Sequence, residues 1–410
     1  MDTRPSTFYH SETVKQFNRE HQADSIDLSV EKLIADARRE TGLFRFDDEN
    51  FLSAMKKLLD SVETEAMLNP FGRFIAKNRT TGSLKNRLYA EACFEAYPEI
   101  RQRKIAAPVI IIGPHRSGTT RMQRMLATDF RLQHLKTWEG INPAPRLNCP
   151  ESGKAARYEE AKKMIEMRKN VYPGAMAHPM DADWPEEEML LLNHSFCSFS
   201  ALGLYNIPGY YQWFLEADKT AAYRHMADMM KLISWSRGDP ENKRWILKNP
   251  QHMMDLKVLL NIFPDAKLVF THRDPLKTVG SMMSLAWFFA VQHTDIPCRA
   301  KTRGIWMDFC EQLVRRCIAV RDTIPASQQI DVYYSDMNHN WRMEMQRIYE
   351  FADMEFTADA ESAMAHWLSD SEREGLHSGH RYALEDFGTT TEEVDALMKF
   401  YRDRYAIPYE

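Results

Sequence analysis

The chain is predicted to adopt an α/β fold, a parallel β-sheet flanked by helices, with a mostly helical region before it and a helical extension after it. Three observations carry this prediction. Val109-Ile110-Ile111-Ile112 is a short continuous apolar run of β-branched residues between Pro108 and Gly113, the pattern of a strand buried on both faces. Similar runs recur at 245–247, 268–270 and 330–334. Helical patterning separates them, at about 158–170, 219–236, 251–262, 275–290 and 303–323, and strands alternating with helices argue for a sheet covered on both sides.

Upstream of the first run, the pattern is helical from about residue 27. Phe51, Met55, Leu58, Leu59, Val62 and Ala66 form a stripe at helical spacing. That helix should stop at Asn69-Pro70, because a residue before proline avoids the helical region. Leu84, Leu88 and Ala92 mark a further helix with Ser83 as its cap. Residues 1–25 are polar and read as an arm that wraps or stays loose. Residues 392–405 read as a closing helix. The chain thus divides into a helical N-terminal region, 1–104, packed on the core, and an α/β domain, 105–410.

A length of 410 residues is ample for a large core, and 44% hydrophobic with 27% charged residues is ordinary globular composition. A net charge of −5 gives no reason to expect a nucleic-acid partner. The opening residues lack a signal-peptide pattern, and the most apolar stretch, 189–205, is interrupted by Asn193, His194 and serines, so no integral membrane span is expected. Six cysteines show neither metal-ligand nor disulfide-framework spacing, and Cys310 and Cys317 share a helix face as small core residues. A reduced, cytoplasmic protein is the expectation.

The segment Gly113-Pro-His-Arg-Ser-Gly-Thr-Thr120 lies between the first strand and a helix. A glycine turn at a helix N-terminus aims several backbone N–H groups at one point, which suits a phosphate. Arg116 adds charge, Gly118 close backbone approach, and Ser117, Thr119 and Thr120 hydroxyls. A Walker A loop needs lysine after its second glycine, where this chain has Thr119. The bland alternative is a tight strand-to-helix turn, against which the hydroxyls, glycine and arginine count together. A second cationic element follows the strand at 268–270, where Arg273 is followed eight residues later by Ser281. Lys248 follows the strand at 245–247, so all three groups belong to the C-terminal sheet edge where open α/β folds bind ligands.

These residues resemble the sulfotransferases that use 3′-phosphoadenosine 5′-phosphosulfate (PAPS). Arg116-Ser-Gly-Thr-Thr120 is similar to their 5′-phosphosulfate loop, and Arg273 with Ser281 to their 3′-phosphate element. The chain looks especially like the bacterial-type branch with a long helical N-terminal region. Trp138-Glu139 with Pro143 and Pro145, Pro185-Glu-Glu-Glu188, Lys248-Asn-Pro-Gln-His252, Phe263-Pro-Asp-Ala266, Thr271-His-Arg-Asp-Pro275 and the segment 380–388 carry that likeness. It runs from about residue 106 onward. One departure is Pro114-His115, where relatives carry proline directly before the arginine, and this leaves His115 near the phosphates.

The resemblance implies a P-loop-type sheet, PAPS as donor with no metal, and transfer of a sulfuryl group to a hydroxyl or amine of a small-molecule, lipid or carbohydrate acceptor. Arg116 and Lys248 would then stabilise charge on the transferring group, Arg273 and Ser281 would hold the 3′-phosphate, and Arg381 would close over the same end. An attacking hydroxyl needs a general base. Glu187, Glu139 and His252 are the candidates, and each has a structural reading: helix N-terminal charge, ion-pair partner, and backbone-bonded helix residue respectively. Glu187 ranks first, as a carboxylate expected among apolar neighbours. Tyr205, Tyr210, Tyr211, Trp213, Phe214 and Trp287 to Phe289 either line an acceptor pocket or belong to the core. The competing functions are a P-loop kinase or NTPase and a non-catalytic nucleotide-binding protein.

Overall fold

The computed structural model describes residues 10–46, 48–148, 153–172, 179–373 and 382–410. Among them, one parallel sheet contains β1 (Val109–Ile112), β2 (Leu132–His134), β3 (Arg244–Lys248), β4 (Lys267–His272) and β5 (Gln329–Tyr333), in the spatial order β2-β3-β1-β4-β5. Four of these are the apolar runs of the sequence. β2 is a three-residue edge strand, too short and too polar to stand out.

The all-apolar β1 follows from its place. Ile110 and Ile112 enter one hydrophobic core with Leu247, Leu268 and Phe270. Val109 and Ile111 enter another, with Met122, Met125, Ile246, Val269 and Val332. A strand covered on both faces has no position for a polar side chain.

The N-terminal region is helical as expected, with one difference. The helix Phe51–Glu65 ends before Asn69, whose side chain accepts from the Gly72 N–H at 2.8 Å and caps the next helix with Pro70 in its first turn. That next helix runs unbroken over Pro70–Ala96. Ser83 is therefore a helix-interior residue and not a cap; its hydroxyl donates to the Asn193 carbonyl at 3.3 Å. The buried face formed by Ile75, Ala76, Leu84 and Leu88 continues through Gly82-Ser83, so nothing there favours a break. Within the polar first segment, Glu12–Glu20 is a helix that docks: Val14 is buried, and the Ser11 N–H donates to Gln292 Oε1 at 2.9 Å.

The other helices given bounds from the sequence, including the closing Thr391–Tyr405, lie within a few residues of them, except that 251–262 divides at Asp255 into Gln251–Met254 and Leu256–Ile262. Asp255 leaves the helical backbone there, at φ −107° and ψ 24°, and its side chain accepts from Lys219 and Gln251 at 3.0 Å each. Cys310 and Cys317 lie buried in the helix Arg299–Arg321, where burial pushes both thiols up to about 12; Cys149 lies outside the described residues. No described helix is long and apolar enough to cross a membrane.

Because both faces of β1 are buried, Ile110→Ala and Ile111→Ala should each destabilise the protein by about 2–5 kcal/mol. Chemical denaturation of the two variants checks this. A near-neutral effect at one position only would mean that one face of the sheet is open.

Candidate active site

The strand order places β1 between β3 and β4, so the segments leaving their C-terminal ends converge. Ile111 pairs with Lys248 across β1 and β3, and Ile112 with Phe270 across β1 and β4. The loop after β1, Lys248 and Arg273 are therefore neighbours although far apart in sequence.

The loop is built by close packing. Ser117 Oγ donates to the Pro114 carbonyl at 2.6 Å and lies 2.7 Å from Thr271 Oγ1. A Cβ at Gly113 would collide with that Thr271 hydroxyl and the Thr271 carbonyl, so glycine is required there. Gly118, at φ +89°, turns the chain into the helix Thr119–Leu126, and a Cβ there would touch the Tyr334 ring at 3.0 Å. The first turn of that helix presents backbone N–H groups beyond its own ladder. Arg116 also has a left-handed backbone, φ +68°, a conformation that costs a non-glycine residue about 1–3 kcal/mol. The ring of His115, expected near the phosphates, packs against Phe199 (5.0 Å between centroids), Phe309 and Trp306.

Lys248 is completely buried. Its Nζ donates to Thr120 Oγ1 at 3.1 Å and forms a short ion pair with Glu187 Oε1. Burying an ammonium is tolerable only with such partners. Its backbone N–H donates to Glu188 Oε2 at 2.9 Å, and the same oxygen lies 3.6 Å from His252 Nε2. His252 is itself fully buried, with Nδ1 3.0 Å from the Tyr223 hydroxyl. The apolar surroundings expected for Glu187 belong to Glu188, where burial raises the carboxyl above its ordinary value against the pull of His252 and the backbone N–H groups. Glu187 faces a cation.

Arg273 donates from Nη1 to the Arg116 carbonyl at 2.8 Å, and its guanidinium lies 3.9 Å over the Tyr334 ring. Burial, and next the Arg273 charge, hold the Arg116 guanidinium below its ordinary value. Two arginines that repel one another at a strand edge are a place for an anion. Ser281 is buried in the helix Pro275–Ala290. Tyr382 lies against the adjoining Gly280, its hydroxyl donating to the Lys277 carbonyl at 3.0 Å. Arg381 lies outside the described residues.

Glu139 has a different environment. Both of its oxygens engage Arg237, and Oε2 also accepts the Lys136 N–H at 3.2 Å, which caps the helix Thr137–Ile141. Of the aromatic residues near the motifs, Tyr210, Tyr211, Phe214 and Trp287 are core residues. Thr271 and Tyr334 have no role in a reading of the motifs alone. Tyr334, directly after a strand end at the ligand-binding edge, carries the one available signal. Among the described residues, no group of three or more His, Cys, Asp or Glu is placed to hold a metal ion.

Comparison with known proteins bears on the family and the fold. The sulfotransferase family model matches residues 108–358, more than half of the chain. The omega-hydroxy-beta-dihydromenaquinone-9 sulfotransferases Stf3 of Mycobacterium bovis and Mycobacterium tuberculosis are each 25% identical over 251 residues, 59% of this chain and 62% of theirs. The chain thus spans less than two thirds of the length of these relatives. The crystal structure of sulfotransferase STF1 from Mycobacterium tuberculosis H37Rv superposes with a TM-score of 0.78 at 29% identity, covering 90% of this chain and 98% of that one. Sulfotransferase STF9 from Mycobacterium avium gives 0.80 at 26% identity, covering 94% and 98%. The loop after β1, Lys248 and the Arg273 element all fall inside the matched span, and the chain belongs to the sulfotransferase family.

Proposed function

We propose that this protein transfers a sulfuryl group from PAPS to a hydroxyl or amine of a small-molecule, lipid or carbohydrate acceptor. The observation that carries the proposal is the Lys248 bridge, in which one buried ammonium joins the loop hydroxyl of Thr120 to the carboxylate of Glu187. An anion loop and a proton acceptor linked through a cation are what group transfer from a phosphosulfate requires.

The residues fit such a donor. The glycine turn at Gly118, which opens a helix N-terminus, and the mutual repulsion of Arg116 and Arg273 favour an anionic group at this edge. Arg116, Ser117, Gly118, Thr119 and Thr120 would hold its 5′ end; Arg273 and Ser281, with Arg381, would hold the 3′-phosphate. The donor supplies an activated sulfuryl group on a bridging oxygen. The protein then contributes in-line positioning and charge. Arg116 and Lys248 offset the charge that develops on the leaving oxygen, and Glu187 takes the proton of the attacking hydroxyl. Glu187 is assigned this role because its cation also bonds the loop hydroxyl of Thr120, whereas the cation on Glu139, Arg237, bonds the His134 carbonyl, and His252 is enclosed behind Glu188.

The aromatic group of Phe199, Trp306 and Phe309 packs around His115, beside Arg116. These three are core residues like Tyr210 and Phe214, so the support for an acceptor with an apolar body and a hydroxyl comes from relatives named for a hydroxylated menaquinone. Transfer of labelled sulfuryl from PAPS to hydroxylated lipids, phenols and sugars tests the proposal directly. In thermal-shift titrations, 3′-phosphoadenosine 5′-phosphate should stabilise the protein at lower concentration than ATP. A preference for ATP with magnesium would favour the NTPase reading.

Arg273→Ala should weaken binding of 3′-phosphoadenosine 5′-phosphate by about 1.5–3 kcal/mol, the scale of charged hydrogen bonds. Adenosine 5′-monophosphate, which lacks the 3′-phosphate, should lose far less, and calorimetry with both nucleotides checks the contrast. Glu187→Gln should lower turnover about a hundredfold or more with nucleotide affinity nearly unchanged. Glu139→Gln is the matched comparison, and a loss confined to it would move the base to Glu139.

A further inference from the structure

Arg273 already holds an anion from its own chain. Its Nε lies 3.1 and 3.0 Å from the two carboxylate oxygens of Glu410, and Nη2 donates to Oε2 at 2.9 Å. Paired donors on one guanidinium edge are the arrangement by which arginine binds carboxylate and phosphate alike. The opposite side of the guanidinium is fixed by the Arg116 carbonyl, and one face lies on Tyr334. The Glu410 edge is thus the one open to exchange.

The segment that delivers Glu410 is moored. The Glu410 N–H donates to Asp274 Oδ2 at 2.9 Å, and Asp274 Oδ1 accepts from Arg402 Nη2 at 2.7 Å. Arg402 Nη1 donates to the carbonyls of Ile407 and Pro408 at 3.2 Å each, and its guanidinium lies 3.6 Å from the Tyr409 ring. The Tyr409 hydroxyl donates to Asp395 Oδ2 at 2.8 Å. The carboxylate therefore has a high effective concentration at Arg273.

We propose that Glu410 is a tethered anion that occupies the 3′-phosphate position on Arg273 and is displaced when the nucleotide binds. The inference rests on Arg273 being the 3′-phosphate anchor. A phosphate monoester carries close to two charges near neutral pH and outcompetes a single carboxylate for the same edge. The pair is partly exposed, with 21% and 28% of the two side chains accessible, so its displacement costs little and does not block binding. Glu410 lowers nucleotide affinity by the fraction of time it holds Arg273, and it re-covers that arginine when product leaves. Glu410 thereby favours release of 3′-phosphoadenosine 5′-phosphate.

The test is calorimetric binding of 3′-phosphoadenosine 5′-phosphate and of adenosine 5′-monophosphate to the wild type, Glu410→Gln, Arg273→Ala and the double variant. Glu410→Gln keeps the size of the side chain and every tail contact except the charge. It should tighten the bisphosphate by about fivefold and the monophosphate by less than about twofold, and it should have no effect in the Arg273→Ala background. Unchanged or weaker bisphosphate binding in Glu410→Gln overturns the proposal. Equal gains for both nucleotides also overturn it, because they would report a general field effect. If Arg273→Ala affects both nucleotides alike, the anchor assignment itself fails. If Arg273→Ala behaves as expected while Glu410→Gln is silent, the competition alone is refuted.

Discussion

A single ammonium group, buried at the end of β3, joins the elements of this site. Lys248 has no access to water, so its charge is stable only if partners arrive from elsewhere in the fold. They come from two places: Thr120 in the first turn after the loop, and Glu187 in a segment that is not part of the sheet. Glu188 completes the arrangement by accepting the Lys248 backbone N–H. The desolvation cost of one lysine thus orders a loop, a strand end and a carboxylate run relative to each other. Removing any partner leaves a charge in a low-dielectric interior, which is why these elements are interdependent.

Around that centre, charge is distributed so that an anion is the natural complement. Arg116 and Arg273 are close enough for one to lower the basicity of the other. Holding two arginines this close is unfavourable, and the Glu410 carboxylate on Arg273 offsets part of that cost. Gly113 is crowded by Thr271, Gly118 abuts Tyr334, and the Arg116 backbone is held in the left-handed region. Loop shape is imposed by contacts from β4 and from the residues after β5. Both aromatic and ionic contacts on Arg273 act from outside the motif that contains it.

Much of this architecture is legible in the amino-acid sequence. β1 is visible because a strand with two buried faces is apolar at every position, and β3 and β4 are visible through their apolar centres, while β5, only partly buried, shows as a β-branched and aromatic run around Asp331. β2 is not visible, because three residues at a sheet edge carry no periodicity. Ser83 misleads for a related reason: a serine beside a glycine looks like a helix start, and only packing against Asn193 decides that the helix Pro70–Ala96 continues through it.

The residue types at the site are likewise evident in the sequence, since a glycine turn with hydroxyls and an arginine between strand and helix has a local chemical meaning. The sequence by itself therefore determined the fold class and the strand-end location of Arg116, Lys248 and Arg273. Which carboxylate each cation meets was decided only by the tertiary structure. Glu187 lies 61 residues before Lys248 and Glu410 lies 137 after Arg273, while Glu139 is taken by Arg237. Ion pairing depends on distances of a few ångströms between side chains from different elements, and that information exists only once the chain has packed.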